Sequence, residues 1–482
     1  MHFSAVMYVM GWLTATFGMF MLLPAMCSAY YHGTSVTVFA LCALASMAGG
    51  VVLVLMYRQR DLQLSRKDGI LITCLAWVGL SVLGAVPLYF TVAPHFMNAL
   101  FEAVSGLTTT GGTVLSGLDT MDKGILLWRS LLQFLGGMGL VVLAVAILPF
   151  LGIGGMGMYQ SEAAGMSKDK LQPRVKETAR ILWLVYILMN VLCIAALVWA
   201  GMGWFDAVNH GLTTLSTGGF STKDASTMGY PLGAIHYVMM FFMFMGALNF
   251  VLHYQFLVTG RLSVYWRNSE LMAFFILMLG SSLLIALVLF GYGVVPNAWL
   301  ALHHAAFNVI SLGSSAGFSS ADFALWPPAA GLILTFVVFI GGCAGSTCGG
   351  LKTSRALVVV KQGLREVHRL LHPKGVRYVK LDGVTISPEV VQSAWAFVGM
   401  YVFIFGVLTL AMTLCGYDLT TAYSSIVVNL GNAGPGLGQA GPYVGYGHMN
   451  DAAKLTLIAA MLLGRLEIFT LIIIFIPAFW RK

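Results

Sequence analysis

The stretch Ser105-Gly106-Leu107-Thr108-Thr109-Thr110-Gly111-Gly112 is polar and glycine-bearing, yet it lies between two long apolar runs. Three similar stretches follow it: Thr217-Gly218-Gly219-Phe220, Ser315-Ala316-Gly317-Phe318 and Asn432-Ala433-Gly434-Pro435. Aligned on Gly111, Gly219, Gly317 and Gly434, they stand 108, 98 and 117 positions apart. Each follows a segment of about ten to twelve residues with helical periodicity, which is too short to cross a bilayer and suits a half-length helix. Four such loops in step predict one pore with four walls.

Outward from these loops the chain is apolar. Of 482 residues, 59% are hydrophobic and 9% charged, too few polar side chains to cover a water-soluble globule. Runs of the roughly 20 residues needed to span the hydrocarbon occur near 5–29, 36–57, 69–91, 125–150, 180–202, 232–258, 271–292, 329–358, 389–414 and 453–479. The first lacks a basic flank and is read as a retained helix rather than a signal peptide. The seven cysteines lie in apolar runs, in neither a disulfide framework nor a zinc spacing.

Charge sets the orientation. The loops at 58–67, 168–180, 261–267 and 352–380 and the tail at 481–482 hold 21 of the 26 basic residues. The positive-inside rule therefore puts them, and both termini, in the cytoplasm. Glu102, Asp119, Asp122, Asp206, Asp224, Asp322, Asp418 and Asp451 then fall on the outer side, where net negative charge concentrates cations. The net charge of +8 reflects this topology and not nucleic-acid binding. The expected fold is all-α and integral to the membrane: ten transmembrane helices, with a two-helix N-terminal unit (1–67) followed by four helix, pore-loop, helix repeats (68–165, 166–268, 269–382 and 383–482) around a central pore.

Irregular backbone at membrane depth is tolerated only where protein covers it or it lines a water-filled cavity. Rings of carbonyls there replace the hydration shell of a monovalent cation, and half-helices aiming their C-terminal ends at the pore favour positive charge. Glycine lets such carbonyls approach an ion unobstructed. Gly pairs also let membrane helices pack closely, but four in register point to a filter. Its expected residues are Thr109, Thr110, Gly111, Thr217, Gly218, Gly219, Ser315, Ala316, Gly317, Asn432, Ala433 and Gly434.

These residues carry a resemblance along essentially the whole chain. With Gly341-Gly342-Cys343-Ala344-Gly345-Ser346-Thr347 and Gly464-Arg465-Leu466-Glu467, they resemble the membrane subunits of Trk-type potassium-uptake systems, in the superfamily that includes Ktr and HKT transporters. The resemblance implies potassium as the transported ion, a homodimer with one pathway per subunit, a bacterial inner-membrane location, and a cytoplasmic TrkA-like regulatory ring that binds nucleotides. Where that family usually runs Ser-Thr-Gly-Gly-Gly, this chain has Ser346-Thr347-Cys348-Gly349-Gly350.

The decade 341–350 holds five glycines, each costing about 1 kcal/mol in a helix interior relative to alanine, so the helix is expected to break there. The expected gate beneath the filter comprises Gly341, Gly342, Gly345, Ser346, Thr347, Cys348, Gly349 and Gly350, with Arg465. Arg465 is read as mid-span and pore-facing, where an arginine is costly and functional, with the 341–350 loop or Asn249 as its candidate partner. Glu467, two residues on, cannot share its helix face.

The leading function is a channel-like potassium pathway. A proton- or sodium-coupled symporter at the same site is second, since coupling usually leaves an ionisable relay in the membrane and the sequence offers only Arg465 and Glu467. An intramembrane enzyme is remote: no His-Glu-x-x-His or Gly-x-Ser-x-Gly accompanies the histidines. The G-x-G-x-x-G matches at 152–157 and 436–441 follow no strand, His368 and His372 sit on a basic loop, and no organic cofactor is expected.

Overall fold

The computed structural model describes residues 2–58, 65–146, 171–373, 375 and 378–481. The expected end of the fourth run at 147–150, the motif at 152–157, the boundary between the first two repeats at 165/166 and parts of the basic loops at 58–67, 168–180 and 352–380 lie outside these residues.

In hydrocarbon each backbone polar group must be satisfied within its own segment, so the apolar runs become helices. The chain opens with α1 (Phe3–Phe20), α2 (Leu22–Tyr30) and α3 (Val36–Met56). Small residues bring α1 and α3 together: a Cβ on Gly11 would lie 2.9 Å from Gly50 O, and one on Gly18 2.9 Å from Ala43 O. Helix α4 (Arg66–Thr91) starts at a capping box in which Ser65 and Asp68 bond each other's backbone N–H.

Then come α5 (Phe96–Leu107), α6 (Lys123–Ala146), α7 (Leu171–Trp199), α8 (Trp204–Leu215), α9 (Ala234–Gly246) and α10 (Phe250–Thr259). They are followed by α11 (Ser269–Gly291), α12 (Ala298–Gly313), α13 (Pro328–Ile340), α14 (Thr353–Leu371), α15 (Pro388–Leu414), α16 (Leu419–Leu430) and α17 (Asp451–Arg465). Helices α5, α8, α12 and α16 are the expected half-helices; three have 12 residues, and α12 is longer at 16. Among the described residues the regular structure is helical but for one ladder, Lys380–Leu381 against Val384–Thr385. Its two-residue turn is Asp382-Gly383, both at positive φ, the Asp-Gly hairpin signal.

Among the described residues six helices are long and apolar enough to cross a membrane, or eight if each of two bent pairs is one crossing. Two of the ten expected spans are bent pairs of helices. The sixth run bends by 99° between α9 and α10, where the Asn249 side chain accepts Val251 N–H at 2.9 Å and starts a new helix. The tenth bends by 109° after α17, where Glu467 and Ile468 take φ of 52° and 44°. The eighth breaks where expected: α13 stops at Ile340 and α14 starts at Thr353.

Candidate functional site

All four half-helices end in the same way. The residue after the C-cap is left-handed in each, at φ of 54° (Thr109), 54° (Thr217), 53° (Ser315) and 51° (Asn432). The next N–H reaches back to close the turn: Thr110 to Ser105 O at 2.8 Å, Gly218 to Thr213 O at 2.9 Å, Ala316 to Ser311 O at 2.7 Å and Ala433 to Val428 O at 2.7 Å. This is the Schellman pattern, with threonine, serine or asparagine where glycine is usual. Gly111, Gly219, Gly317 and Gly434 then take φ of 82°, 78°, 77° and 80°.

The second positive φ turns each loop toward its neighbour. A Cβ on Gly111 would strike Gly218 O, one on Gly219 Ala316 O, one on Gly317 Ala433 O, and one on Gly434 Thr110 O, each closer than 3.0 Å. First loop meets second, second third, third fourth, and fourth first. The four loops thereby close into one ring of neighbours, with the carbonyls of Thr110, Gly218, Ala316 and Ala433 at the four loop-to-loop contacts. Above it lies a cleft of about 60 Å³, bordered by Gly111, Gly219, Gly317 and Pro435 and by Lys223 and Asp224 on its outer side.

Side chains behind the loops hold them in place. Glu102 accepts Val114 N–H at 2.9 Å and the Thr113 hydroxyl at 3.0 Å, and pairs with Arg129 Nε at 2.8 Å. Arg129 crosses to the second loop, donating from Nη1 to Ser221 O at 3.0 Å with its guanidinium 4.1 Å from the Phe220 ring centroid. The Tyr446 hydroxyl donates to Gly434 O at 2.6 Å. The sequence reading missed these supports, and it placed Glu102 among the charges of the outer face. Glu102 is fully buried and neutralised by Arg129, while Asp119 is 3.2 Å from Lys223 Nζ, so the outer face is less acidic than the count suggested.

The 341–352 segment lies against the ring's underside. Thr347 Oγ1 donates toward Leu215 O at 3.1 Å and Gly246 O at 3.2 Å, and receives the Thr217 hydroxyl at 3.1 Å. The Cys348 thiol donates to Ser314 O at 2.8 Å, and Gly349 N–H to Ser315 Oγ at 3.1 Å. Two of the left-handed residues, Thr217 and Ser315, thus touch the segment directly. Its ends are tied down by Glu270, whose Oε1 accepts Ala344 N–H at 2.6 Å and Ser354 N–H at 3.0 Å. The Lys352 ammonium bonds Cys348 O.

Arg465 reaches the segment as expected, but from elsewhere. It is the last residue of α17 rather than mid-helix, where a cation faces the negative end of the helix dipole. Nη1 donates to Thr347 O at 2.7 Å and Nη2 to Gly136 O at 2.9 Å. Asn249 is no partner of Arg465; it caps α10 and presses on Gly345. Glu467, beyond the end of the helix, pairs with Arg355 at 2.5 Å. The sequence's short list of ionisable groups at this depth is therefore corrected: Glu102, Arg129, Glu270, Lys352 and Arg355 are enclosed too, each with a polar partner.

An apolar helical bundle built round four re-entrant loops defines a multi-pass membrane protein. The chain belongs to the TrkH family, whose model, described as a cation transport protein, matches residues 35–482. It is 41% identical over 485 residues to the Trk system potassium uptake protein TrkH of Salmonella typhimurium, with 100% of both chains covered. It is 35% identical over 488 residues to the Trk system potassium uptake protein TrkG of Escherichia coli K12, covering 100% of this chain and 99% of that one. The crystal structure of the potassium transporter TrkH from Vibrio parahaemolyticus superposes with a TM-score of 0.91 at 38% identity, over 100% of both chains. The family is one of transporters, so this chain is a transport protein and not an enzyme.

Proposed function

We propose that this chain takes up potassium across a bacterial inner membrane through a pore whose filter is the ring of Thr110, Gly218, Ala316 and Ala433 carbonyls. The closed contact of the four loops carries the reading: backbone oxygens brought to one centre can stand in for the water that a potassium ion sheds. On this reading the chain crosses the membrane ten times, as a two-helix unit (1–67) and four pore repeats (68–165, 166–268, 269–382 and 383–482), with both termini cytoplasmic. The bent pairs each count as one crossing, as do α6 and the broken α13–α14 pair.

The segment 341–350 is the gate and Arg465 its latch, with the Arg465 bond to Thr347 O and the segment's bonds to Ser314 O and Ser315 Oγ closing the path below the filter. The relatives' names place them in a Trk system, which supports regulation by a TrkA-like nucleotide-binding ring, with the chain acting as a homodimer on this reading. The test is rubidium uptake into liposomes holding the purified protein, alone and then with such a partner, against sodium competition. Gly219→Ser and Gly317→Ser force Cβ atoms onto ring carbonyls, and are expected to lower discrimination against sodium by about tenfold or more while protein still inserts. Wild-type discrimination in both variants sinks the filter reading.

A further inference from the structure

One of the four loops differs from the others in both sequence and support. At the ring position where the first, third and fourth loops carry Thr110, Ala316 and Ala433, the second carries Gly218. Its φ is not positive, unlike that of Gly219, so backbone conformation does not demand glycine there. Space does: a Cβ on Gly218 would fall within the carboxamide of Gln133.

Gln133 is fully buried on α6, and its amide spans the loop. Nε2 donates to Gly218 O at 2.7 Å, and Oε1 accepts Phe220 N–H at 3.0 Å. Arg129, one turn earlier on the same face of α6, holds the carbonyl three residues further on, Ser221 O, at 3.0 Å. A helix of the first repeat thus grips the loop of the second on both sides of Gly219. Among the described residues no hydrogen bond is donated to Thr110 O, Ala316 O or Ala433 O. Of the carbonyls at the four loop contacts, Gly218 O alone among the described residues accepts a hydrogen bond from a protein donor.

We infer that Gln133 is a specificity-determining positioning residue of the filter, acting through the Gly218 carbonyl; the inference rests on the filter reading above. A carbonyl that already accepts an amide proton offers a weaker field to a cation, and one clamped on both sides of the next glycine cannot swing inward to close on a smaller ion. Both effects disfavour sodium, whose smaller radius needs shorter and stronger ligands to replace its water. The absence of a side chain at Gly218 is the sequence's accommodation of this clamp, and it makes the ring unequal by construction.

The test uses the full-length protein in liposomes, reading rubidium and sodium uptake separately. Gln133→Met keeps the volume and removes both bonds. Gln133→Asn keeps the amide, but one methylene short it reaches at most one of the two partners. Each is expected to lower the rubidium-to-sodium ratio by about three- to tenfold, the factor corresponding to one net hydrogen bond. A merely structural glutamine predicts that both fluxes fall together with the ratio unchanged, and that result overturns the inference. So does failure of both variants to yield folded protein. If Gln133→Met alone misfolds, Gln133→Asn decides. A wild-type protein that does not discriminate sinks the filter reading itself; a discriminating wild type with unaltered variants sinks only the role of Gln133.

Discussion

Arg465 Nη1 lies 2.7 Å from the carbonyl oxygen of Thr347, whose hydroxyl is 3.1 Å from that of Thr217 at the foot of the second filter loop. One line of bonds therefore joins the end of α17, the 341–352 segment and the ring. Removing the guanidinium frees Thr347 O, and with it the middle of the segment. A hydrogen bond from a charged donor contributes about 1.5–3 kcal/mol, so Arg465→Ala is expected to raise rubidium flux into liposomes by about tenfold or more at unchanged protein content. Flux at or below that of the wild type, from protein that still elutes and melts normally, removes Arg465 from the gate.

Glu102 and Arg129 form a pair with neither partner exposed beyond 1%. Breaking such a pair from one side leaves an uncompensated charge and costs about 3–5 kcal/mol, whereas replacing both partners with apolar side chains is often close to neutral. Glu102→Met and Arg129→Met are each expected to lower the melting midpoint in detergent sharply, and the double variant to regain most of the loss. Single effects that simply add in the double variant mean that the two charges are not coupled.

The ring of four loops was legible because its requirement is written in backbone. The second positive φ after each half-helix, where the neighbouring loop's carbonyl leaves no room for a side chain, falls on Gly111, Gly219, Gly317 and Gly434, and four such glycines at one period are visible without coordinates. The break at 341–352 was legible for the same reason. The bends after Gly246 and Arg465 were not: they lie in apolar sequence and are made by one asparagine side chain and by positive φ at Glu467 and Ile468, residues that helical patterning does not flag. Nor could the supports be read. Glu102 reaches Arg129 27 positions away, and Gln133 reaches Gly218 across 85. Lys352 and Arg355 were counted with the cytoplasmic basic loop that follows them, because charge counting follows sequence neighbours while α14 begins inside the protein.

Asp122 ties the outer end of α2 and the start of α3 to α6. Its carboxylate accepts the Ser35 N–H and the Ser28 and Ser35 hydroxyls, each at 2.9 Å, and Gly124 N–H at 2.8 Å. Partial burial works to raise its pKa, but these four bonds together outweigh it and hold it below the usual value. A carboxyl depressed on folding contributes stability above its unfolded pKa of about 3.9, and that contribution is lost as pH falls through the folded value. Asp122→Asn is expected to lower the melting midpoint at pH 7 and to flatten its fall in acid, so that the difference from wild type shrinks below about pH 4. A constant difference across that range means the carboxylate form is not what stabilises the junction.

Cys348 stands where a Trk-type segment usually has glycine, and its thiol donates to Ser314 O at 2.8 Å, at the end of the third half-helix. Fully buried, it packs its sulfur against Gly342, where a Cβ would lie 2.6 Å from it. The side chain therefore fastens the segment at a second point besides Arg465. Cys348→Gly removes that bond, a contribution of about 0.5–1 kcal/mol. Rubidium flux should rise by about two- to fivefold, less than for Arg465→Ala, because a thiol is the weaker donor. Since both residues restrain one segment, their effects in the double variant should combine to less than their product. A double variant whose flux equals that product means that the two bonds act independently of each other, and a Cys348→Gly protein with wild-type flux means that the thiol bond does not restrain the segment.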